Sequence, residues 1–408
     1  MNPIKSFCRN AYVAIVAFVT VISMAISFVG CDGFSEDIGG YSEPVDGGGA
    51  VEKPSDKDDS STDEKDEYDG LRVLTYENMG RLSKGKNVVF FLVDRFDAKY
   101  YAQKLEQDSD FFDGLDGFTY FNDYTSLYCR TYPGVASILT GKDHDYFVSK
   151  NTAFNNFFGD GGKLGVLKQY GYNINLYTEK NYVYNDASVM KDYVDNVSKK
   201  ESDEQFMVDK NATASLKSML EGTDFEIVQS EGQFTFIHLY GCHDTSISVQ
   251  ERINVTFDLI YYYLGQMKVL GIYEDSTIII TGDHAAALSD SKMIGSANSK
   301  DDGTRVTAML FKKSGNSGTP LATSSAQVSQ DDLWNTIFES EGLIDEKDGE
   351  SFFDIPEGED RARRYIFEMY KNSKNNDLKH NRLYEYKIVG NANLSESWEM
   401  VKETDIIK

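Results

Sequence analysis

The run from Asn87 to Asp94, N-V-V-F-F-L-V-D, is apolar without a break from Val88 to Val93 and closes on an aspartate. A half-exposed strand would alternate apolar and polar residues. A run that does not alternate must be covered on both faces, so this segment reads as a fully buried strand. In open α/β sheets, sites form beyond the carboxyl ends of such strands, which is where Asp94 stands. Further strand-like runs lie near Asn173 to Thr178, Phe234 to Tyr240, Thr277 to Thr281 and Val306 to Phe311. Helical patterns separate them, among them Ile253 to Leu270 and Gln330 to Glu341. The alternation predicts an α/β fold with a mostly parallel central sheet sandwiched by helices. Tyr261, Tyr262 and Tyr263 read as packing residues of the first of these helices. After Arg361 the chain becomes strand-rich and reads as a small appended subdomain, residues 362–408.

The apolar run Thr277 to Thr281 leads straight into T-G-D-H, Thr281 to His284. Upstream, Thr131 heads the segment C-R-T-Y-P-G-V-A-S-I-L-T-G, Cys129 to Gly141. A hydroxyl is a poor nucleophile at neutral pH unless a metal or a base removes its proton, and Asp-His is a metal-ligand dipeptide. Asp94, Thr131, Asp283 and His284 could therefore converge as three oxygens and one nitrogen around one divalent ion. Taken singly, each has a plainer reading: a turn or cap aspartate, a loop threonine before a proline, a frequent dipeptide. What joins them is that each stands at a strand end or a helix start.

These segments resemble the alkaline phosphatase and sulfatase superfamily, and more narrowly its lipoteichoic acid synthase (phosphoglycerol transferase) and phosphoethanolamine transferase branch, from about Asn87 onward. In the nucleophile segment of sulfatases, Thr131, Pro133, Ile138, Leu139, Thr140 and Gly141 fall in register, which puts Thr131 in the nucleophile position. A sulfatase needs a Cys or Ser there for formylglycine, and an Arg four residues on, where this chain has Val135. The resemblance thus implies direct phosphoryl transfer to Thr131 rather than sulfate-ester hydrolysis. Q-F-T-F-I-H-L-Y-G-C-H, Gln233 to His243, resembles the strand leading to a phosphate-binding histidine, a role that falls on His243. V-S-Q-D-D-L-W-N-T-I-F, Val328 to Phe338, resembles the late helix of sulfatase-like folds, and L-Y-E-Y-K-I-V-G-N-A, Leu383 to Ala392, the terminal strands of membrane-linked members.

The chain has five histidines. His238 lies within an apolar strand and reads as a core residue, and His144, in G-K-D-H-D-Y, first as a polar-loop residue and otherwise as one lining the cleft. Without further Asp and His pairs, one ion is expected. Its ligands would be Asp94, Thr131, Asp283 and His284; the resemblance tilts the choice toward Mn²⁺, with Zn²⁺ or Mg²⁺ as alternatives. Cys129 and Cys242 flank site segments and read either as a disulfide or as two buried thiols.

At the amino end, Lys5 and Arg9 precede an uncharged run from Ala11 to Val29, long enough to cross a hydrocarbon core of about 30 Å. F-V-G-C resembles a lipobox ending on Cys31, so residues 1–31 read as a signal peptide with a lipidated cysteine or as a membrane anchor. Residues 32–80 read as an acidic disordered linker: Asp32 to Gly70 carries 14 acidic against 3 basic residues, a net of −11. Such a tail would reach roughly 35 Å as a coil. The whole chain carries −25, which makes nucleic acid an implausible partner.

The sequence thus predicts a catalytic domain over residues 81–361, tethered at the extracytoplasmic face of the membrane. The first expectation is a metal-dependent phosphotransferase that moves a phosphoglycerol-type group from a phospholipid headgroup onto a teichoic acid, surface glycan or glycolipid. The alternatives are a phosphodiesterase or phosphatase acting on the same polymers, and a non-catalytic glycan-binding module.

Overall fold

The computed structural model describes residues 72–179, 187–199, 212–243, 246–286, 305–343, 349–371 and 379–407. The apolar run Ala11 to Val29, Cys31 and the acidic stretch to Gly70 lie outside them. Among the described residues, no helix is long and apolar enough to cross a membrane.

Three short pairs of strands, β1 (Arg72–Leu74) with β7 (Val197–Lys199), β2 (Arg81–Ser83) with β8 (Glu226–Val228), and β5 (Tyr124–Thr125) with β13 (Val328–Ser329), flank a larger sheet. That central sheet has the order β12 (Ala322–Ser324), β4 (Phe118–Phe121), β11 (Met309–Lys312), β10 (Ser276–Thr281), β3 (Lys86–Val93), β9 (Gly232–Leu239), β6 (Tyr172–Thr178). Only β11 runs against the other six strands, so the expectation of a mostly parallel sheet holds. The expected strand Val306–Phe311 begins later than its apolar run. Its first residues bond instead to the loop after β3: Ala98 N–H donates to Val306 O at 3.0 Å and Ala308 N–H to Phe96 O at 2.9 Å.

β3 shows why its run carries no polar residue. Val88, Phe90 and Leu92 enter the core on one face and Val89, Phe91 and Val93 the core on the other. Burying each such side chain is worth roughly 1.5–3 kcal/mol. Helix α1 (Ala98–Gln107) packs on the second face, together with α5 (Ala212–Glu221) and α6 (Val249–Val269). The first face is covered by α2 (Thr131–Thr140), α3 (Lys150–Phe158), α4 (Gly162–Gln169) and α7 (Leu333–Ser340). In α6, Tyr263 is fully buried with its hydroxyl on Met79 O, and the Tyr261 hydroxyl donates to Phe111 O at 2.7 Å, both packing roles.

The folded unit begins before the expected boundary at residue 81. Val73, Leu74 and Met79 are buried, and Thr75 N–H donates to Asn196 O at 2.8 Å, so residues 72–80 are not linker.

At the other end, β14 (Ala362–Met369), β15 (Asn381–Val389) and β16 (Trp398–Ile406) form an antiparallel sheet. Its inner face shares one core with Cys129 and Val306. A buried ion pair, Arg363 to Asp123 at 2.8 Å, and the bond from Ile366 N–H to Leu127 O at 2.8 Å fasten β14 to the segment that leads into α2.

Candidate active site

Four segments end at the carboxyl edge of the parallel strands: Asp94 after β3, Tyr240 to His243 after β9, Gly282 to His284 after β10, and the first turn of α2. Their close approach depends on small residues. A Cβ on Gly282 would lie 2.8 Å from Phe96 N, and one on Gly134 would lie 3.0 Å from Asp283 O. Gly241 has φ +48°, and a Cβ there would meet Val93 at 2.5 Å. Pro133 sits in the first turn of α2, where its missing N–H would have found no partner inside the helix. Gly141 then ends α2 in the left-handed region, with φ 68°.

The expected ligands come together. One donor atom each from Asp94, Asp283 and His284 lies within 4.8 Å of the others, and all three residues are buried. His284 Nε2 is 3.4 Å from Asp283 Oδ2 and 3.8 Å from Asp94 Oδ1. Thr131 Oγ1 lies 3.3 Å from the same nitrogen. His284 Nδ1 is 2.7 Å from Ala285 O; a carbonyl only accepts, so Nδ1 carries the proton and Nε2 offers its lone pair to the cluster. Burial pushes the His284 pKa down against the pull of Asp283, and the charges of Arg95 and Arg130 lower it further. The ring is therefore neutral at physiological pH.

Asp283 divides its two oxygens. Oδ1 accepts from Arg95 N–H and from His284 N–H, both at 3.0 Å, whereas Oδ2 accepts no hydrogen bond from the described residues and faces the histidine. Two buried carboxylates, a hydroxyl oxygen and an imidazole lone pair, gathered in one place, repel one another unless a cation lies among them. This donor set fits a divalent metal ion held by Asp94, Asp283, His284 and Thr131.

The backbone around the cluster is tied down tightly. Arg95, next to Asp94, is a non-glycine residue at φ 60°, a conformation that costs of order 1 kcal/mol and is held by its bond to Asp283. Asp97 caps α1 through Lys99 N–H and takes Ala286 N–H at 3.0 Å, joining the loops after β3 and β10. Cys242 N–H donates to Asp94 O at 2.9 Å, so His243 emerges beside Asp94. Its Nδ1 is 2.9 Å from the Tyr240 hydroxyl, and the two rings stack.

Other expectations need correction. His144 stands in the loop after α2 between exposed Asp143 and Asp145, but its ring turns inward: it packs 4.4 Å from Tyr146, stacks on Phe157 at 5.4 Å and meets Tyr132, the neighbour of Thr131, at 5.5 Å. Cys129 and Cys242 are free, buried thiols, and burial raises both pKa values, so the disulfide reading falls. His238 is buried within β9 as expected, and burial pushes its pKa down to about 4. The charges of Asp283 and His284 also act on it, a proximity to the cluster that the sequence did not reveal. Nor did it reveal Arg130: its guanidinium lies over the Tyr370 ring at 4.2 Å and donates to Glu368 O at 3.2 Å, contacts that span more than two hundred residues.

Comparison with known proteins gives the family. Among curated proteins, none matches the sequence. The chain is similar to solved structures of an alkaline phosphatase superfamily protein from Vibrio parahaemolyticus (12% identity, 78% of this chain and 83% of that chain, TM-score 0.48) and of the lipoteichoic acid synthase LtaP from Listeria monocytogenes (12% identity, 78% and 88%, TM-score 0.46). It is also similar to the C-terminal periplasmic domain of EcEptC from Escherichia coli (9% identity, 72% and 94%, TM-score 0.44). The sulfatase family model matches residues 86–342, more than half of the chain and the whole span from β3 to the end of α7, and the chain therefore belongs to the sulfatase family.

Proposed function

We propose that the protein is a metal-dependent phosphotransferase in which Thr131 is the nucleophile. The observation that carries this reading is the placement of Thr131 Oγ1 at 3.3 Å from His284 Nε2, at the edge of the Asp94, Asp283 and His284 cluster. A divalent ion bound there would supply a lowered hydroxyl pKa and neutralise charge on the reacting phosphate. Mn²⁺ is our first choice, with Zn²⁺ or Mg²⁺ also compatible with a set of oxygens and one nitrogen.

The chain's own groups then have distinct parts. Thr131 gives its proton to water and its oxygen attacks phosphorus; the new P–O bond forms as the bond to the leaving alcohol's oxygen breaks, and that oxygen takes a proton back from the water. The first turn of α2 presents N–H groups and the positive end of the helix dipole to the incoming charge. His243 binds a non-bridging oxygen. A second alcohol then takes the group from Thr131 by the reverse displacement.

The substrate we favour is a phosphoglycerol donor, with a cell-surface polymer or glycolipid as acceptor, reached by a domain tethered at its amino end outside the membrane. Threonine is a secondary alcohol and cannot give the formylglycine aldehyde, which argues against sulfate esters. Hydrolysis of surface phosphodiesters is the second reading, because water can replace the acceptor alcohol in the last step. Incubation with phosphatidylglycerol and a glycolipid acceptor, with mass spectrometry of the active-site peptide, tests all of this. A phosphoglycerol adduct on Thr131 and a lengthened acceptor are expected; free glycerol phosphate alone would select the hydrolase, and an unmodified Thr131 under turnover would reject the covalent route.

A further inference from the structure

We propose that Arg95 and Arg130 form a guanidinium pair that binds the oxygens of the transferring group, and that the carboxyl end of β14 is the brace holding one of them. The proposal rests on the phosphotransferase reading above and assigns the oxyanion contacts of that same site.

Each arginine is the chain neighbour of a cluster residue. Arg95 follows Asp94, and Arg130 precedes Thr131. Both lie at intermediate exposure, so neither is sealed in the core. Arg95 is fixed in the left-handed region by the bond from its N–H to Asp283 Oδ1 at 3.0 Å, and its Nε is buried with no acceptor among the described residues. Strain at a residue with an unsatisfied buried donor, beside a cluster of ligand atoms, points to a partner supplied by the substrate.

Arg130 is fixed differently. Its Nη2 donates to Glu368 O at 3.2 Å and its guanidinium lies over Tyr370 at 4.2 Å. The Glu368 N–H donates to Cys129 Sγ at 3.2 Å, so the end of β14 grips the residue before Arg130 as well as its side chain. A guanidinium is a rigid planar fork whose geometry matches that of a phosphate, and the carbonyl and the ring set this one in place beside Thr131.

Charge favours the same assignment. Asp94 and Asp283 bring two negative charges, which a divalent ion offsets and no more. The phosphate group would then enter a chain of net charge −25 with the α2 dipole and His243 as its attraction, neither of them a fixed full positive charge. A guanidinium carried on each of two residues that adjoin cluster residues, Arg95 after Asp94 and Arg130 before Thr131, would add that charge. If Arg130 served only to pin the C-terminal sheet, its loss would change stability and leave anion binding alone.

The test uses the full chain loaded with Mn²⁺ and orthovanadate, which mimics a phosphoryl group in transfer. We expect Arg130→Gln and Arg95→Gln each to weaken vanadate binding by about tenfold or more, with bound metal per chain unchanged. Arg130→Lys should recover part of the loss, and Tyr370→Leu should weaken vanadate a few-fold without loss of metal. Vanadate affinity within about twofold of wild type in the glutamine variants, at full metal content, would overturn the assignment. Should Arg95→Gln fail to fold, Arg130→Gln decides alone. If the wild-type protein binds metal and vanadate but never carries a group on Thr131, the covalent reading fails while the arginine pair stands.

Discussion

The two ends of the parallel strands both bury carboxylates, and they treat them in opposite ways. At the amino ends, Glu341 accepts from the hydroxyls of Thr277 and Tyr172, one on each oxygen, while Lys86 Nζ donates to its main-chain carbonyl. Both carboxylate oxygens there have a donor within the chain. At the carboxyl ends, Asp283 Oδ2 has none among the described residues and faces an imidazole lone pair. A saturated buried carboxylate serves the fold, because nothing remains for it to bind. One left with an open oxygen destabilises the chain alone and is stabilised only when a cation arrives.

The largest break in that contrast should come at Thr131. Thr131→Ala removes the oxygen we propose as the attacking one and little else, since Thr131 is part-buried and, among the described residues, its side chain bonds only to His284. Turnover should fall by at least about 10³-fold, with metal content and melting temperature close to wild type. Initial-rate assays beside metal analysis would check this, and an active Thr131→Ala variant would remove the nucleophile from the cluster.

The next comparison sets Asp283→Asn against Glu341→Ala. The amide in Asp283→Asn keeps an oxygen for the Arg95 and His284 N–H groups and loses the charge, so metal affinity should drop by about a hundredfold, while stability in a chelator should not fall. Glu341→Ala strands the hydroxyls of Thr277 and Tyr172 in a dry site and should cost about 2–4 kcal/mol with metal affinity untouched. Urea titrations in chelator and in Mn²⁺ would separate the two, and a chelated Asp283→Asn protein much weaker than wild type would sink the idea that its open oxygen is a strain on the apo chain. The same titrations should show Mn²⁺ at a hundred times its Kd stabilising wild type by about 2.7 kcal/mol and Asp283→Asn scarcely at all.

The sequence made one of these ends legible and hid the other. Asp94 and Asp283 could be placed because each closes an apolar run, and a run covered on both faces can end only at a sheet edge. Thr131 was legible through resemblance, because Pro133, Ile138, Leu139, Thr140 and Gly141 fall in register with a sulfatase nucleophile segment. Glu341 gave no such sign: its partners Thr277 and Tyr172 stand at the starts of strands 64 and 169 residues away, and pairing at that range follows from strand order, which no local pattern encodes. The same holds for Arg130 on the end of β14, and for the reversed β11. For His144 the loop was legible and the packing was not: a charged local sequence, G-K-D-H-D-Y, suggests solvent, but Phe157 and Tyr132 reach its ring from two helices.

The smallest expected effect refines the contrast through pH. Burial raises the pKa of Glu341 above its usual value, and the hydrogen bonds from Thr277 and Tyr172 offset this only in part. A carboxyl whose pKa is higher in the folded chain contributes stability that is full below its unfolded pKa, near 4.5, and is lost as pH rises through the folded pKa. Within that window the loss is about 1.4 kcal/mol per pH unit. Glu341→Gln, which cannot ionise, should therefore match or trail wild type in acid and gain on it as pH rises, then keep a constant offset above the folded pKa. Melting curves from pH 4 to pH 8 in chelator would read the difference between the two proteins. A difference that ran the other way, with wild type gaining on Glu341→Gln as pH rises, would mean that the hydroxyls hold the carboxylate charged, and that saturation at the amino ends outweighs burial.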